Sequence, residues 1–483
     1  MNSKSVFHLI SYLTFVIGFS MFICSGLSFA FNEETKITIS LIVSGSITTL
    51  SSLFLWLLTR CKISLTRRDG FGVVTFGWII ITLFGSLPYL LCGVIDHPIS
   101  ALFETMSGFT TTGASVLSNL EAQPKSILFW RALTQWLGGM GVLVLCVAIL
   151  PFLGVGGMQI FRAEMPGPSK DRLTPRITTT AKLLWGVYLI LTVLQILMLN
   201  FFGNMNWFDS ICHTFSTIAT GGFSTKTDSI GAFNSTSVDI IVMIFMFLSG
   251  INFALHYHAL RGKPLYYLKD GEFRFYSILT LIVITIVCLS LNNINYSNLS
   301  ECIRKGAFTS IALITGTGFS SVNYDEWPNA IRLLLVGMMF FGGCAGSTTG
   351  GMKIMRIHVI IKKMMREIKI FLRPTAIIHT KLDGRPVKTN DVAQISTFFV
   401  IFVLIFAFGS FVMSFFTPNL ETAVSSVVAT LAGIGPGISY VGPMENYSFI
   451  SPYGQAFLIF LMLLGRLELY TVLVLLLPSF WKK

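Results

Sequence analysis

Apolar residues in this chain fall in long continuous stretches, not in the one-sided period that a soluble helix shows. A bilayer core of about 30 Å needs about 20 apolar helical residues to cross it. Ten segments meet that length: 7–31, 37–58, 71–93, 127–151, 181–202, 238–260, 274–291, 328–350, 392–416 and 453–478. The first is too long for the apolar core of a signal peptide, and a second apolar run follows at once, so it reads as a first membrane helix. The pattern predicts an all-α polytopic membrane protein with about ten transmembrane helices.

Four of the links between these segments hold a second, shorter apolar stretch, too short to span a bilayer. Aligning them exposes an internal repeat. The four read SALFETMSGFTTTGAS (100–115), DSICHTFSTIATGGFS (209–224), KGAFTSIALITGTGFS (305–320) and TAVSSVVATLAGIGPG (422–437). Each has about ten helix-compatible residues and then a turn with a shared glycine: Gly113, Gly222, Gly318 and Gly435. A long apolar segment precedes and follows each one. The following segment carries small residues at a matching place, Gly138-Gly139, Ser249-Gly250, Gly342-Gly343 and Gly465. The unit is helix, short helix, glycine-rich loop, helix, four times over, with two extra helices at the N-terminus. The corresponding division is 1–68 for those two helices, then 69–160, 161–262, 263–375 and 376–483 for the repeats.

Non-helical backbone survives at membrane depth only where protein buries it or where it lines a watery cavity. A short helix that ends in an extended turn aims carbonyl oxygens at one axis. Rings of such oxygens replace the hydration shell of a cation. The helix C-termini add partial negative charge. The candidate cation filter is Thr111, Thr112, Gly113, Thr220, Gly221, Gly222, Gly316, Thr317, Gly318, Gly433, Ile434 and Gly435.

Composition supports lipid as the solvent. Of 483 residues 53% are hydrophobic and 12% charged, about half the charge of a soluble domain. The net charge of +12 does not form a nucleic-acid face. Lys and Arg sit in short links on alternate sides: Arg60 to Arg68, 162–176, 261–274, and ten of them between Lys353 and Lys388, whereas 417–452 has none. That asymmetry places both termini in the cytoplasm. The basic stretch 353–388 suits anionic lipid headgroups or an acidic cytosolic regulator, or is simply solvated positive-inside charge. The eight cysteines, Cys24, Cys61, Cys92, Cys146, Cys212, Cys288, Cys302 and Cys344, include no C-x-x-C pair and predict neither a disulfide framework nor a metal cluster. No H-E-x-x-H, paired carboxylates or nucleophile–His set marks an enzyme. A secondary transporter with broken helices would show two inverted halves, whereas this repeat is fourfold and enters from one side.

These features resemble the Trk/Ktr/HKT superfamily of K⁺ transporters. The two extra N-terminal helices, the turns TTTGAS, ATGGFST and TGTGFSS, the GPG at 435–437 and the ending LLGRLELY at 463–470 resemble its TrkH/TrkG branch. The resemblance covers essentially the whole chain. It implies K⁺ as the transported and bound ion with no organic cofactor, one pore per subunit, a homodimer in the bacterial inner membrane, and a cytosolic nucleotide-binding TrkA-type regulator. Glycine in all four turns is the form that the superfamily ties to K⁺ rather than Na⁺. The fourth turn, AGIGPG, lacks Thr and carries Pro436, which implies fewer well-placed carbonyls and modest selectivity.

The segment FFGGCAGSTTGGMK (340–353) packs five glycines into an apolar span. Each costs a helix about 1 kcal/mol relative to Ala, so the helix is expected to break. A nucleotide P-loop is excluded because no G-K-[ST] follows. Similar proteins use such a loop as a gate, which makes Gly342, Gly343, Gly346, Gly350 and Gly351 gate candidates. Arg466 and Glu468 lie within the last span, where ionisable groups are costly and face the bundle interior. The resemblance puts Arg466 below the filter as a barrier to cations; an ion pair with a buried carboxylate is the alternative. Glu104 and Asp209 either add negative potential at the outer mouth or cap helix N-termini, with capping favoured for Asp209. His256 and His258 diverge on a helix and read as interfacial. Asn234, Asn295, Asn298 and Asn446 match the glycosylation pattern and carry little weight here.

Overall fold

A computed structural model describes residues 2–60, 66–141, 177–291, 298–375, 378–382 and 385–482. Part of the expected span 127–151, the link 162–176, Cys61, Cys146, Asn295 and Asp383 lie outside the described residues.

The chain opens with two long helices, α1 (Ser3–Ala30) and α2 (Thr35–Leu58). They pack as an antiparallel pair through small residues. A Cβ on Gly18 would meet Thr49 Cγ2 at 2.6 Å, and one on Gly45 would meet the Phe22 ring at 3.0 Å. Close backbone approach of this kind is how helices adhere in lipid, where burial of apolar surface gives no advantage. The outward faces stay apolar, with Leu50 and Phe54 exposed.

Next come α3 (Arg67–Gly85), the short α4 (Leu87–Cys92), α5 (Pro98–Phe109) and α6 (Lys125–Gly139). Thr66 and Asp69 form a reciprocal cap at the start of α3, and Asp69 also accepts from the Asn2 amide at 2.6 Å, tying the chain's start to this helix. Ser86 joins α3 to α4, with Pro88 in the first turn of α4, and the two together make one span, Arg68–Cys92, over the expected segment 71–93. After the undescribed stretch come α7 (Ile177–Phe201), α8 (Trp207–Ile218), α9 (Thr236–Ser249), α10 (Phe253–Leu260) and α11 (Gly271–Leu291). The last part contains α12 (Leu299–Ile314), α13 (Asn329–Met338), α14 (Ile354–Leu372), α15 (Thr389–Met413), α16 (Leu420–Ala432), α17 (Pro452–Arg466) and α18 (Tyr470–Leu476). A two-residue antiparallel hairpin, Lys381–Leu382 with Arg385–Pro386, sits between α14 and α15.

Among the described residues, six helices are long and apolar enough to cross a membrane, or eight if each bent pair counts as one span. The bends correct two expected spans. The segment 238–260 is two helices meeting at 104°, and 453–478 is two meeting at 117°. The sequence pattern pointed to a break only at 340–353. Hydropathy averages over a window and does not register a reversal of direction inside it. The signal that was present is the small residues: α9 stops at Ser249-Gly250, and α17 stops after Gly465. At the second bend Glu468 and Leu469 both adopt positive φ, 54° and 57°, a conformation costly for side-chain-bearing residues. The segment 339–353 does leave the helix, between α13 and α14, as expected.

The small residues also let long helices seat under the short ones. A Cβ on Gly138 would stand 1.9 Å from the Phe109 carbonyl oxygen, and one on Gly465 would stand 2.0 Å from that of Leu431. Both oxygens belong to the last turn of a short helix. We expect Gly465→Ala to lower the stability of the detergent-solubilised protein by about 1–3 kcal/mol, the usual cost of forcing extra volume into a packed site. Gly26→Ala, with nothing within 4 Å of its Cβ, should change it by less than about 1 kcal/mol. Thermal unfolding of both variants checks the contrast.

Candidate functional site

The four aligned segments begin as short helices, α5, α8, α12 and α16. Each then ends in the same way. A residue at the helix end takes positive φ, the one after the cap in the first three and the cap itself in the fourth: Thr111 (56°), Thr220 (53°), Gly316 (66°) and Gly433 (68°). The next residue donates its amide to the carbonyl five positions back: Thr112 to Ser107, Gly221 to Ser216, Thr317 to Ala312 and Ile434 to Ala429, all at 2.8–2.9 Å. This is the left-handed helix stop that glycine usually makes. Thr111 and Thr220 make it at a steric cost. The following glycine is again left-handed: Gly113 (83°), Gly222 (78°), Gly318 (72°) and Gly435 (94°).

The turns meet in a closed order. A Cβ on Gly113 would lie 2.1 Å from the Gly221 carbonyl oxygen. One on Gly222 would lie 1.9 Å from that of Thr317, one on Gly318 1.9 Å from that of Ile434, and one on Gly435 2.6 Å from that of Thr112. The first turn touches the second, the second the third, the third the fourth, and the fourth the first. No side chain fits at any of these four glycines.

A second cycle lies just after the turns. The Glu121 carboxylate accepts from the Thr227 amide (2.9 Å) and hydroxyl (2.6 Å), joining the first and second segments. The Gly231 amide donates to the Ser320 carbonyl (3.2 Å), joining the second and third. The Ser439 amide donates to Asp325 (3.1 Å), joining the third and fourth. The Tyr447 amide donates to the Ser115 carbonyl (2.9 Å), closing the fourth to the first.

Buried polar groups brace the chain leaving each turn. Arg131 bonds Glu104 at 2.8 Å and the Ser224 carbonyl at 3.0 Å, and its guanidinium stacks on Phe223 at 4.1 Å. Glu104 also accepts from the Val116 amide at 2.9 Å. It is fully buried in the middle of α5, so it neither caps that helix nor faces the mouth, contrary to both expectations. Asn206 caps α8, and Asp209 sits three residues on, bound by the Thr225 hydroxyl at 2.5 Å. His213 contacts the Asp209 carbonyl through Nδ1 (2.8 Å) and Ser224 Oγ through Nε2 (2.9 Å). A carbonyl only accepts, so Nδ1 carries the proton. Lys305 reaches Asp239 (3.4 Å) and the Ser321 carbonyl (3.2 Å).

Below the turns lies the segment 339–353. It folds back on itself, with the Gly342 amide bonded to the Met352 carbonyl at 2.8 Å. Thr348 donates to the Ile218 carbonyl at 3.1 Å and lies 3.3 Å from the Thr220 hydroxyl. Gly350 abuts the Ala432 carbonyl, 2.4 Å from where its Cβ would be. Gly346 and Gly351 have positive φ, 79° and 67°, and Gly343 packs on the Gly250 carbonyl. Arg466 joins this segment to the first turn. It donates to Thr111 Oγ1 (3.1 Å), the Thr348 carbonyl (2.9 Å) and the carbonyls of Gly138 and Gly139. Its neighbour Glu468 pairs with Arg356.

The sequence reading missed Glu272. Its carboxylate accepts from the amides of Ala345 (2.7 Å) and Met355 (3.0 Å), holding both feet of the interrupted segment. A lone acid at the start of an apolar helix gave no hint of that. It missed Gln135 and Tyr447 as well; their side chains donate to turn carbonyls, Gln135 to Gly221 far along the chain and Tyr447 to Gly435 twelve residues back. The reading of His256 as interfacial is corrected. It is buried and braces the α9–α10 bend, contacting the Leu248 carbonyl (2.9 Å) and Tyr267 (2.6 Å). Among the described residues the six cysteines are unbridged, and no group of three or more His, Cys, Asp or Glu is placed to hold a metal.

Apolar spans around short helices that converge on carbonyl-lined turns define a multi-pass membrane transport protein, not an enzyme. The model of the TrkH family, described as a cation transport protein, matches residues 34–483, and the chain belongs to that family. It is 41% identical over 439 residues to the Trk system potassium uptake protein TrkH of Salmonella typhimurium, covering 90% of both chains. It is 43% identical to the Halomonas elongata TrkH over 87% of each, and 33% identical to TrkG of Escherichia coli over 88% of each. The fold superimposes on the crystal structure of the potassium transporter TrkH from Vibrio parahaemolyticus with a TM-score of 0.90 at 34% identity, covering 100% of both chains.

Glu121 lies in a loop outside the spans. Burial pushes its carboxyl up, but the hydrogen bonds from Thr227, with Lys226 nearby, outweigh that and hold it below the usual carboxylate range. A depressed acid contributes stability above its unfolded value, about 4.3, and loses it as pH falls through the folded value. The protection of the Thr227 amide, the intrinsic exchange rate relative to the observed one at each pH, should therefore be flat from about pH 5 to 8 and fall only below about pH 4.

Proposed function

We propose that this chain carries out channel-like, low-affinity K⁺ uptake across the bacterial inner membrane, with both termini cytoplasmic. The four turns are its selectivity filter, formed by Thr111 to Gly113, Thr220 to Gly222, Gly316 to Gly318 and Gly433 to Gly435, in four repeats around one pathway. The single observation that carries this reading is the closed cycle of glycine-to-carbonyl contacts among the four turns. Only a ring of backbone oxygens of that kind has an evident use for four glycines that admit no side chain. The relatives named as potassium uptake proteins support K⁺ as the ion. The fourth turn, with Pro436 and no Thr, makes the selectivity modest.

Gating belongs to the segment containing Gly342, Gly343, Gly346, Gly350 and Gly351, together with Arg466. The contacts of Thr348 and Arg466 with the turns support this. A fixed cation at that place opposes a cation leaving the filter. A homodimer working with a cytosolic TrkA-type nucleotide-binding regulator completes the system. An inside-negative potential supplies about 2.3 kcal/mol per charge per 100 mV, and a tenfold gradient costs about 1.4 kcal/mol. Roughly 100 mV thus sustains near fifty-fold accumulation with no coupled H⁺ or Na⁺.

The deciding experiment is cation flux into liposomes under an imposed potential, comparing K⁺, Rb⁺ and Na⁺, with Gly318→Ser alongside. K⁺ and Rb⁺ flux above Na⁺, collapsing or losing preference in the variant, is the expected result. Flux that needs a pH or Na⁺ gradient would replace the channel with a coupled transporter. Replacing Arg466 by Gln should raise K⁺ flux by about tenfold, equivalent to ~1.4 kcal/mol of barrier; unchanged or lower flux removes Arg466 as the barrier.

A further inference from the structure

The four turns share a backbone path but not the fate of their carbonyls. At the second residue of each filter triplet, the Gly221 carbonyl accepts from Gln135 Nε2 at 2.7 Å. The same side chain's oxygen accepts from the Phe223 amide at 3.0 Å. Gln135 is fully buried and comes from α6, the helix that follows the first turn. Among the described residues, the equivalent carbonyls of Thr112, Thr317 and Ile434 accept no hydrogen bond.

At the third residue of the triplet the odd turn is the opposite one. The Gly435 carbonyl accepts from Tyr447 Oη at 2.7 Å, and Tyr447 is 2% exposed. The carbonyls of Gly113, Gly222 and Gly318 accept none among the described residues. In the contact cycle the second and fourth turns are not neighbours, so the two capped carbonyls stand on opposite turns.

A carbonyl that already holds an N–H or O–H gives up part of its negative potential to that donor. Cation preference in a carbonyl ring depends on the number and field strength of its oxygens. We infer that Gln135 and Tyr447 are specificity-setting residues that each occupy one oxygen of a cation-binding ring, leaving three oxygens free at each level and weakening both sites for K⁺. The inference rests on reading the turns as a cation filter. It assigns the weak affinity to two particular donors outside the turns. Gln135 also lies on the helix whose Gly138 and Gly139 carbonyls hold Arg466, so the capped oxygen and the cation below share one rigid element.

The cleaner variant is Tyr447→Phe, which removes one hydroxyl and leaves the backbone contacts of Tyr447 in place. Gln135→Leu is the second. The measurement is the K⁺ and Na⁺ dependence of thermal stability in the purified full chain, with tracer flux of Rb⁺ competed by K⁺. Freeing an oxygen should lower the half-saturating K⁺ concentration by about two- to tenfold, the range that the net free energy of one hydrogen bond converts to. The Na⁺ midpoint should move less, and maximal flux should fall because a tighter site releases its ion more slowly. A merely structural role would lower stability equally in both salts and leave the K⁺ midpoint in place, which would overturn the inference. A raised K⁺ midpoint in Tyr447→Phe would overturn it as well. If the unaltered protein shows no K⁺ response, the filter reading itself fails, which is distinguishable from a K⁺ response that the variants leave unmoved. Should Gln135→Leu not fold, Tyr447→Phe decides alone.

Discussion

The contact on which the rest depends is the approach of each turn's glycine to the carbonyl oxygen of the next turn. Four such contacts, at Gly113, Gly222, Gly318 and Gly435, close on themselves. A cyclic constraint differs from a chain of pairwise ones. Displacing one turn displaces all four, because each is both a wall and a guest. The membrane adds the second demand. Backbone that is neither helix nor sheet is expensive there, so each turn is wrapped in donors and acceptors that satisfy what the ring leaves over.

That wrapping explains the buried charges. Arg131 with Glu104, and Lys305 with Asp239, are costly groups to desolvate. Each cation spends a remaining hydrogen on a carbonyl just past a turn, at Ser224 and Ser321 respectively. The gain is fixed geometry more than net stability. The second segment adds His213 and Asp209 to the Arg131 contact, and the fourth uses the Ser425 hydroxyl on the Ile438 carbonyl. Four chemically different braces hold one backbone shape.

This difference is also why the site was only half legible in the sequence. The turns were readable because their shape is local. A left-handed stop followed by a left-handed glycine imposes glycine at fixed spacing, and alignment finds it. Thr111 and Thr220 show the limit, since they take the same φ without being glycine. The braces were not readable because each repeat uses different residues for them, so alignment finds no shared position, and some partners lie far along the chain, as Gln135 does from Gly221 and Glu272 from Met355. The long helices were visible as apolar runs. The bends at 250–252 and 467–469 were not, because hydropathy carries no direction. Glu104 misled because its place at the middle of a short apolar helix looked like an exposed mouth, while its partner, Arg131, sits on another helix.

The staple at Glu272 has a mechanical consequence. One carboxylate holds the amides of Ala345 and Met355, so the residues between them form a span fixed at both feet. Such a span bows or flattens; it does not swing. Its reach is bounded by about 3.3–3.6 Å of contour per residue. Thr348, near the crown, is the part of the span farthest from both feet, and it is held there by other partners, the Ile218 carbonyl and Arg466. The feet tie α14 to α11 independently of the shape the crown takes. The span is thus anchored to the bundle wall at its ends and to the turns at its crown, by two separate sets of bonds.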